Sequence, residues 1–296
     1  MTDGWNVSAK AWIASMGETG DFSRGLVLDT PMMERVSKAQ PKAVLDLGGG
    51  EGRFCRRLAP HVDHVVGIDP TEGLIAHAKS LGDADYVIAG AEDLPFADHS
   101  FDMVVSYLSL IDIPNIPKAL SEAHRVLRPN GLLLIANLNP WTTASQSKGT
   151  PVKNPDGTTT LTMDRYLDAF PSWAEWSGIR IQNWHRPLSF YMQSLLENGF
   201  QLTHFDEPKA SGGARAESYN RAPYLHIMEW QKRCSMPHSP PKQFWTRSIC
   251  RLIQRVLWRK ALAPGFTPMC LQLAFRRGSC IFVAPMVLTG GDLKAI

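Results

Sequence analysis

The residues with the clearest capacity for chemistry lie in one glycine-rich segment, Asp46-Leu47-Gly48-Gly49-Gly50-Glu51-Gly52. Glycines at alternate positions let the main chain turn tightly and approach a ligand without a Cβ atom in the way. A helix that begins directly behind them presents unpaired N–H groups, which favour an acidic group or a polar edge. Asp69 follows 21 residues after Gly48, where a carboxylate can accept both ribose hydroxyls of an adenosine-containing ligand.

A second set of candidates lies between residues 141 and 187. His185 is the candidate general base, because an imidazole has a pKa suited to proton transfer near neutral pH; a histidine that only holds its surroundings together is the alternative. Arg186 would bind an acidic substrate group, and a structural ion pair fits equally well. The tryptophans would line an apolar or aromatic substrate pocket, or form a small core of their own; they are Trp141, Trp173, Trp176 and Trp184.

The elements that must position these residues are indicated by apolar strand-length runs that alternate with helical patterns from residue 43 onward. This alternation predicts an α/β fold with a mostly parallel sheet covered by helices on both faces. The predicted strands are Ala43–Leu47, His64–Ile68, Tyr86–Ala89, Phe101–Ser106, Leu132–Asn137, Phe200–Phe205 and Tyr224–Trp230, and the predicted helices are Gly52–Ala59, Glu72–Leu81, Ile116–Leu127 and Leu188–Asn198.

Two segments interrupt or precede this alternation. Residues 1–40 carry apolar side chains at helical spacing, which predicts an N-terminal helical lid. Trp12 and Arg24 would close from this lid over the ligand, although plain packing of Trp12 and a surface position for Arg24 fit equally well. Residues 141–187 are expected to form a cap inserted over the sheet, and they begin with a Thr-, Ser-, Gly- and Pro-rich loop at 142–160.

Charge sets the last part of the chain apart from the domain at residues 41–232. The net charge is +3, yet residues 233–296 hold ten Lys and Arg against a single Asp. We therefore expect a basic C-terminal extension of unknown role. Arginines recur every fourth residue from 247 to 259, which indicates a basic amphipathic helix. Residues 242–260 would allow weak contact with a membrane surface or a nucleic acid, but a solvated basic face is the simpler interpretation.

Composition argues against several other classes of protein. The N-terminus has neither a basic n-region nor an apolar core, so we expect no secretory signal, and no run approaches the roughly 20 apolar residues that span a bilayer. The five cysteines form no C-x-x-C pair, so we predict no metal site and expect reduced thiols in a cytoplasmic protein. Residues 1–232 are net acidic and are not expected to bind nucleic acid.

Four segments together resemble the class I S-adenosylmethionine-dependent methyltransferases, particularly the small-molecule type related to ubiquinone- and menaquinone-biosynthesis methyltransferases. The resemblance implies a Rossmann-like, seven-stranded sheet whose last strand inserts antiparallel. It also implies S-adenosylmethionine as cofactor and transfer of its methyl group to a small-molecule acceptor by in-line displacement. The segments are VLDLGGGEGRFCRRLA, VVGIDPTEGLIAHAKS, AEDLPFADHSFDMVVSYLSL and ALSEAHRVLRPNGLLLIAN.

The same resemblance implies where each part of the cofactor would bind. The implied positions are Asp46, Gly48, Gly50 and Gly52 for the methionine part, Asp69 with Pro70 and Thr71 for the ribose, Ala91 and Glu92 for the adenine, and Ser106 near the reacting sulfur. Two departures from the family matter. Gly90 stands where an Asp or Asn is frequent, so adenine recognition would rest on the backbone and Glu92. Leu110-Ile111-Asp112 stands where a histidine is frequent, which leaves a base at that position in doubt.

Two other function classes stay open at this point. A nicotinamide- or flavin-dependent oxidoreductase also binds its cofactor at a glycine-rich loop. Its G-x-G-x-x-G fingerprint, however, differs from the glycines at every second position in this chain. A binding protein that holds S-adenosylmethionine or S-adenosylhomocysteine without transferring a methyl group is compatible with the weak signal for a base.

Overall fold

The computed structural model describes residues 4–145, 152–157 and 159–233, and the backbone of two short strands further on. The chain divides into two compact units, residues 1–234 and 235–296. In the second unit, Leu273–Arg276 and Ser279–Phe282 pair as antiparallel strands. The amphipathic helix predicted within 242–260 lies outside the described residues.

The first unit contains eight α-helices and eleven strands among its described residues. In chain order they are α1 (Trp5–Met16), α2 (Asp29–Ala39), β1 (Ala43–Leu47), α3 (Arg53–Leu58), β2 (His64–Asp69), α4 (Glu72–Leu81), β3 (Asp85–Ile88), β4 (Phe101–Tyr107), α5 (Ile116–Val126), β5 (Leu127–Leu138), α6 (Pro140–Thr143), β6 (Val152–Lys153), β7 (Thr159–Thr160), β8 (Phe170–Trp176), β9 (Ile179–His185), α7 (Leu188–Glu197), β10 (Phe200–Asp206), α8 (Ala216–Arg221) and β11 (Leu225–Lys232).

Seven of these strands form the central sheet, in the order β3-β2-β1-β4-β5-β11-β10. Strands β1 to β5 pair in parallel. Strand β11 runs antiparallel to both of its neighbours, β5 and β10. The α/β fold class, the seven strands and the antiparallel last strand are thereby confirmed.

Both faces of the sheet are covered, because successive residues of a strand point to opposite faces. On one face, Leu45 and Val104 belong to a buried cluster that includes residues of α5 and α7. On the other face, Val44 and Met103 belong to a second cluster with residues of α2, α3 and α4. All five residues of β1 are buried, which explains why four of the five are apolar and Asp46 alone is charged.

The cap expected at residues 141–187 contains paired strands, which the sequence did not predict. Strands β8 and β9 form an antiparallel hairpin, joined by Ser177 and Gly178 with φ of 47° and 80°. Positive φ at both central residues is the mark of a type I′ turn, whose twist matches that of the flanking strands. The predicted loop at 142–160 contains α6 at its start and the small β6–β7 hairpin.

The predicted N-terminal helix is interrupted between Gly17 and Ser23. Gly17 and Gly20 adopt positive φ, which ends α1, and a π-helical turn at Arg24–Leu28 leads into α2. Helix α1 packs on β9 and α4 through a small apolar cluster that includes Trp12, Ile179 and Ile181. The lid and the cap therefore share one hydrophobic core.

A buried polar cluster joins the N-terminal segment to the sheet domain. Asp29 at the start of α2 accepts hydrogen bonds from both terminal nitrogens of Arg53 on α3. Its Oδ1 also accepts the hydroxyl of Tyr107 at 2.8 Å. Arg53 and Asp29 have only 4% and 6% of their side chains exposed. The sequence did not single out any of these residues.

Within the described ranges, no helix is long and apolar enough to cross a bilayer. The same residues contain no group of three or more His, Cys, Asp or Glu side chains with metal-binding geometry.

His226 on β11 is fully buried, and neither of its ring nitrogens has a hydrogen-bond partner among the described residues. Its ring stacks on Phe205, and burial lowers the pKa of His226 to about 4 from 6.5. Below pH 6.5 the unfolded chain therefore binds a proton that the folded chain refuses, so folding stability is lost as pH falls.

We expect His226→Phe to remove this pH dependence. The free energy of unfolding of the variant relative to the wild type should rise by about 3 kcal/mol between pH 7 and pH 4, since one pKa unit equals about 1.4 kcal/mol. Urea titrations of both proteins at each pH measure the difference and cancel contributions from other groups. If the difference in free energy of unfolding between the two proteins stayed constant over this range, His226 would bind a proton as readily in the folded protein as in the unfolded chain.

Candidate functional site

A cavity of about 590 Å³ opens at the carboxyl ends of the parallel strands, where ligands bind in open α/β sheets. The segments after β1, β2, β3 and β4 form its floor. The N-terminal lid, the β8–β9 hairpin and α8 contribute its other walls. The N-terminal lid, the glycine loop and the cap, which the sequence placed around one ligand, therefore all line this cavity.

The glycine loop, residues 48–52, connects β1 to α3, and Gly48 and Gly50 line the cavity. Gly48 has φ of 75°, and a Cβ atom on it would lie 2.5 Å from the Cβ of Ser109. Gly52 is placed differently. It does not line the cavity, and a Cβ atom there would lie 2.6 Å from the hydroxyl of Tyr86, so its small size serves the packing of α3 on the sheet.

Asp69 at the end of β2 organises the loop as well as lining the cavity. Its Oδ2 accepts the N–H of Gly50 at 3.2 Å, and its Oδ1 accepts the N–H of Thr71 at 2.8 Å. Burial raises the pKa of Asp69, while these two N–H groups act in the opposite direction. Each oxygen has a second lone pair, so the carboxylate can still accept two vicinal hydroxyls. Pro70 and Thr71 line the cavity beside it.

Asp46 lies beneath the glycine loop and not in the cavity wall. Only 1% of it is exposed, and its Oδ2 accepts the Cys55 thiol at 3.3 Å. Its Oδ1 has no partner among the described residues. Burial raises the pKa of Asp46 to about 7, and the nearby Glu51 and Asp69 carboxylates add to this rise. A cationic group bound above the loop would favour the ionised form.

Ala91 and Glu92 line the cavity beyond β3, at the end expected for the adenine. The carboxylate of Glu92 accepts the N–H of Asn115 at 3.3 Å. A Cβ atom on Gly90 would lie 3.4 Å from Oε2 of Glu92. The Glu92 side chain thus occupies the space beside the position where relatives frequently have Asp or Asn.

The lid contacts the glycine loop directly. The indole Nε1 of Trp12 donates to Oε2 of Glu51 at 2.7 Å in a buried hydrogen bond. The Arg24 guanidinium lies 5.0 Å from the centre of the Trp12 ring and 5.8 Å from that of Tyr107. Trp12 and Arg24 both line the cavity. The sequence analysis missed Glu51 and Tyr107, although Glu51 lies inside the glycine motif.

Two further predicted residues, Ser106 and Trp141, lie apart from the cavity surface. Ser106 is buried with its Oγ 2.7 Å from that of Ser109, and Ser109 lines the cavity in its place. Trp141 does not line the cavity, whereas Trp173, Trp176 and Trp184 do. Trp176 is 42% exposed and its ring centre lies 6.4 Å from that of Trp12.

Arg186 is not available to an acidic substrate group. It is 3% exposed, and its terminal nitrogens donate to the carbonyl oxygens of Leu110, Ile113 and Pro114. This contact holds the loop after β4 in place. Neither the substrate role nor the ion pair considered from the sequence matches this geometry, because the partners are main-chain carbonyls.

His185 borders the cavity but is 1% exposed. Its Nε2 donates to the carbonyl oxygen of Tyr166 at 2.9 Å, and its Nδ1 lies 2.6 Å from the hydroxyl of Thr143. Burial lowers the pKa of His185. With both nitrogens engaged, the ring joins β9 to α6 and to the segment before β8. This arrangement favours the role of holding the cap together over that of a base.

Comparison with known proteins identifies relatives of one segment of the chain. Residues 45–135 match the family described as methyltransferase domain. The ubiquinone/menaquinone biosynthesis C-methyltransferase of Dinoroseobacter shibae is 33% identical over 141 residues, which are 44% of this chain and 55% of that protein. The demethylmenaquinone methyltransferase of Thermotoga maritima is 33% identical over 113 residues, 37% of this chain and 49% of that protein. Residues 45–135 of this chain therefore match a methyltransferase domain.

The fold of the chain is shared with solved structures. An S-adenosylmethionine-dependent methyltransferase of Mesorhizobium loti superposes with a TM-score of 0.61 at 24% identity, covering 73% of this chain and all of that one. The chain matches only about half the length of the two relatives named above. The matched family segment contains the glycine loop and Asp69, and the cap lies outside it.

Proposed function

We propose that this chain transfers a methyl group from S-adenosylmethionine to a small-molecule acceptor by in-line displacement. The observation that carries the proposal is that the glycine loop and Asp69 line the same cavity as the cap tryptophans Trp173, Trp176 and Trp184. A methyl donor on the sheet side and an acceptor on the cap side would then share one enclosed space.

The residues of the sheet side fit the methyl donor. Gly48 and Gly50 leave room for a ligand against the main chain, and Asp69 offers acceptors for ribose hydroxyls. Ala91 and Glu92 would border the adenine, and the carboxylate of Asp46 under the loop favours a cationic group above it. When bound, the sulfonium supplies an already electrophilic methyl group, so the protein mainly has to align the acceptor and exclude water.

The cap and the lid would align the acceptor and exclude water. Trp173 and Trp184 give the acceptor side an apolar, aromatic wall, which suits an apolar or aromatic acceptor. The Trp12–Glu51 hydrogen bond holds the lid against the glycine loop, and the Arg24 guanidinium over the Tyr107 ring connects the lid to β4. A closed lid would keep water from the methyl group. Hydroquinone-like phenols are the first acceptors to test, since the two relatives are named for quinone biosynthesis.

Calorimetry with purified protein tests the cofactor. We expect S-adenosylmethionine and S-adenosylhomocysteine to bind and NAD not to bind. Binding of NAD alone would contradict the proposal and support the oxidoreductase. Incubation of the protein with S-adenosyl[methyl-³H]methionine and a metabolite extract, followed by mass spectrometry of labelled products, then tests transfer. Cofactor binding without any labelled product would support the alternative of a protein that binds the cofactor and does not catalyse transfer.

A further inference from the structure

The cavity continues beyond the part assigned to the cofactor. The sheet order is β3-β2-β1-β4-β5-β11-β10, and the glycine loop, Asp69 and Glu92 follow β1, β2 and β3. The cavity wall also includes Leu138 at the end of β5 and Tyr224 directly before β11. Adjacent strands lie about 4.8 Å apart, so these two residues border a region on the opposite side of β4 from Asp69. A methyl donor over β1, β2 and β3 would leave this region to the acceptor.

Three aromatic rings from separate segments meet in this region. Phe22 lies in the N-terminal lid, Tyr219 on α8 and Tyr224 directly before β11, and all three are partly buried and line the cavity. The centre of the Tyr219 ring lies 4.8 Å from that of Phe22 and 4.7 Å from that of Tyr224. We call these three residues the Tyr219 cluster. It offers a flat acceptor ring an aromatic surface on which to pack.

Hydrogen bonds to the lid and to the sheet hold the Tyr219 cluster in place. The hydroxyl of Tyr219 lies 2.9 Å from that of Ser23 in the lid. The carbonyl oxygen of Tyr224 accepts the N–H of Asn139, next to the end of β5, at 2.9 Å. Because the rings are fixed before a ligand arrives, a bound acceptor would not have to order them.

Arg215, directly before α8, gives this region its positive charge. Arg24 and Arg215 supply the guanidinium groups of the described cavity wall. Arg24 pairs with Asp21 at 2.8 Å, which offsets its charge. Arg215 has no carboxylate within ion-pair distance among the residues that the structure describes. Its guanidinium can therefore bind an anionic group of a ligand, in the geometry that suits a carboxylate.

Tyr224 adds a second hydrogen-bond donor near Arg215. Burial and the neighbouring Tyr219 and Asp21 raise the pKa of Tyr224 to about 12, against the opposing effect of the Arg215 charge. The Tyr224 phenol is therefore protonated at neutral pH. The hydrogen bonds from Asn139 and Thr142 reach its carbonyl oxygen and do not engage its hydroxyl. A phenol hydroxyl and a guanidinium together suit the two oxygens of a carboxylate.

We propose that the Tyr219 cluster and Arg215 form the acceptor subsite and that the acceptor is an aromatic compound that carries a carboxylate. The inference rests on the proposed function. The acceptor ring would pack on the Tyr219 cluster, its carboxylate would accept hydrogen bonds from Arg215 and Tyr224, and its nucleophilic atom would face the glycine loop. A neutral acceptor of the same shape would leave Arg215 without an anion and would bind more weakly.

The test measures label transfer from S-adenosyl[methyl-³H]methionine to two matched pairs of acceptors. Each pair is an aromatic acid and its neutral carboxamide, one pair built on a dihydroxybenzoate and the other on an aminobenzoate. We expect kcat/KM for the better acid to exceed that for its carboxamide by at least about 30-fold, because the carboxamide loses the charge-assisted hydrogen bonds.

Variants of Arg215 assign this preference to its guanidinium. Arg215→Gln should raise KM for the acid about 30-fold and change kcat less than about threefold, with a much smaller effect on the carboxamide. Arg215→Lys keeps a positive charge and should restore part of the preference for the acid. Arg221→Gln removes an exposed charge at the other end of α8 and should leave transfer unchanged. Calorimetry should give all variants the wild-type affinity for S-adenosylhomocysteine.

Equal transfer by the wild type to an acid and its carboxamide would overturn the inference and leave the proposed function intact. Labelled products from a metabolite extract, none of them an aromatic acid, would do the same. Loss of S-adenosylhomocysteine affinity in Arg215→Gln would place Arg215 at the cofactor and would also overturn it. Absence of transfer by the wild type to any of these acceptors or to any extract would instead overturn the proposed function and, with it, this inference.

Discussion

Replacing Asp69 with Ala should weaken the binding of S-adenosylhomocysteine about 100-fold, which corresponds to about 2.7 kcal/mol. The effect is large because Asp69 has two tasks. Its carboxylate would accept the ribose hydroxyls, and hydrogen bonds to a charged group contribute about 1.5–3 kcal/mol each. It also fixes the N–H groups of Gly50 and Thr71, so its loss loosens the loop on which the ligand would rest.

Asp63→Ala provides the matched control for this experiment. Asp63 is exposed directly before β2, so its removal changes the net charge equally without touching the cavity. Calorimetric titration of both variants gives the affinities, and circular dichroism establishes that each is folded. Equal affinities of Asp69→Ala and the wild type would mean that the ligand does not use this end of the cavity.

Replacing Asp29 with Ala should destabilise the protein by about 4 kcal/mol, the usual cost of leaving one partner of a buried ion pair alone. The variant keeps Arg53 with 4% of its side chain exposed and without its carboxylate. It also leaves the Tyr107 hydroxyl without its acceptor. For a domain of this size the melting temperature should fall by roughly 10 °C. Urea and thermal unfolding both measure the change.

The double variant Asp29→Leu, Arg53→Met distinguishes a lost charge partner from lost packing. Apolar residues of similar volume frequently replace a buried ion pair without loss, so we expect most of the stability to return. A cost of less than 1 kcal/mol for Asp29→Ala alone would show that water already reaches the pair. A double variant as unstable as Asp29→Ala would assign the effect to packing.

The sequence predicted the sheet because its signals are local. The run Ala43–Leu47 is buried on both faces and is apolar except at Asp46. The glycine loop and Asp69 are equally local, since both follow directly after buried strands. The sequence predicted a strand at Leu132–Asn137, whereas β5 begins at Leu127 and Pro129-Asn130-Gly131 forms an excursion within it. Pairing of Phe101 with Leu127 decides this, and that contact is not local.

The cap and its side chains could not be predicted in the same way. Its Ser177-Gly178 dipeptide is a recognised turn signal, but no strand was predicted on either side of it. The roles of His185 and Arg186 depend on contacts with Tyr166, Thr143 and the loop after β4. Some of these partners lie more than seventy residues away in the chain. A histidine or arginine in the sequence suggests proton transfer or substrate binding. Only the contacts of its side chain in the fold show whether the side chain is available for that role.

The antiparallel strand β11 bears on what counts as a domain in this chain. The segment recognisable by descent is 45–135, but the strand that pairs with β5 comes from Leu225–Lys232, and the carboxylate that balances Arg53 comes from residue 29. Cut at its ancestral boundaries, the segment would expose an unpaired strand edge and carry a buried cation with no counterion. The stretch that matches the family and the stretch that must fold together are therefore different parts of this polypeptide.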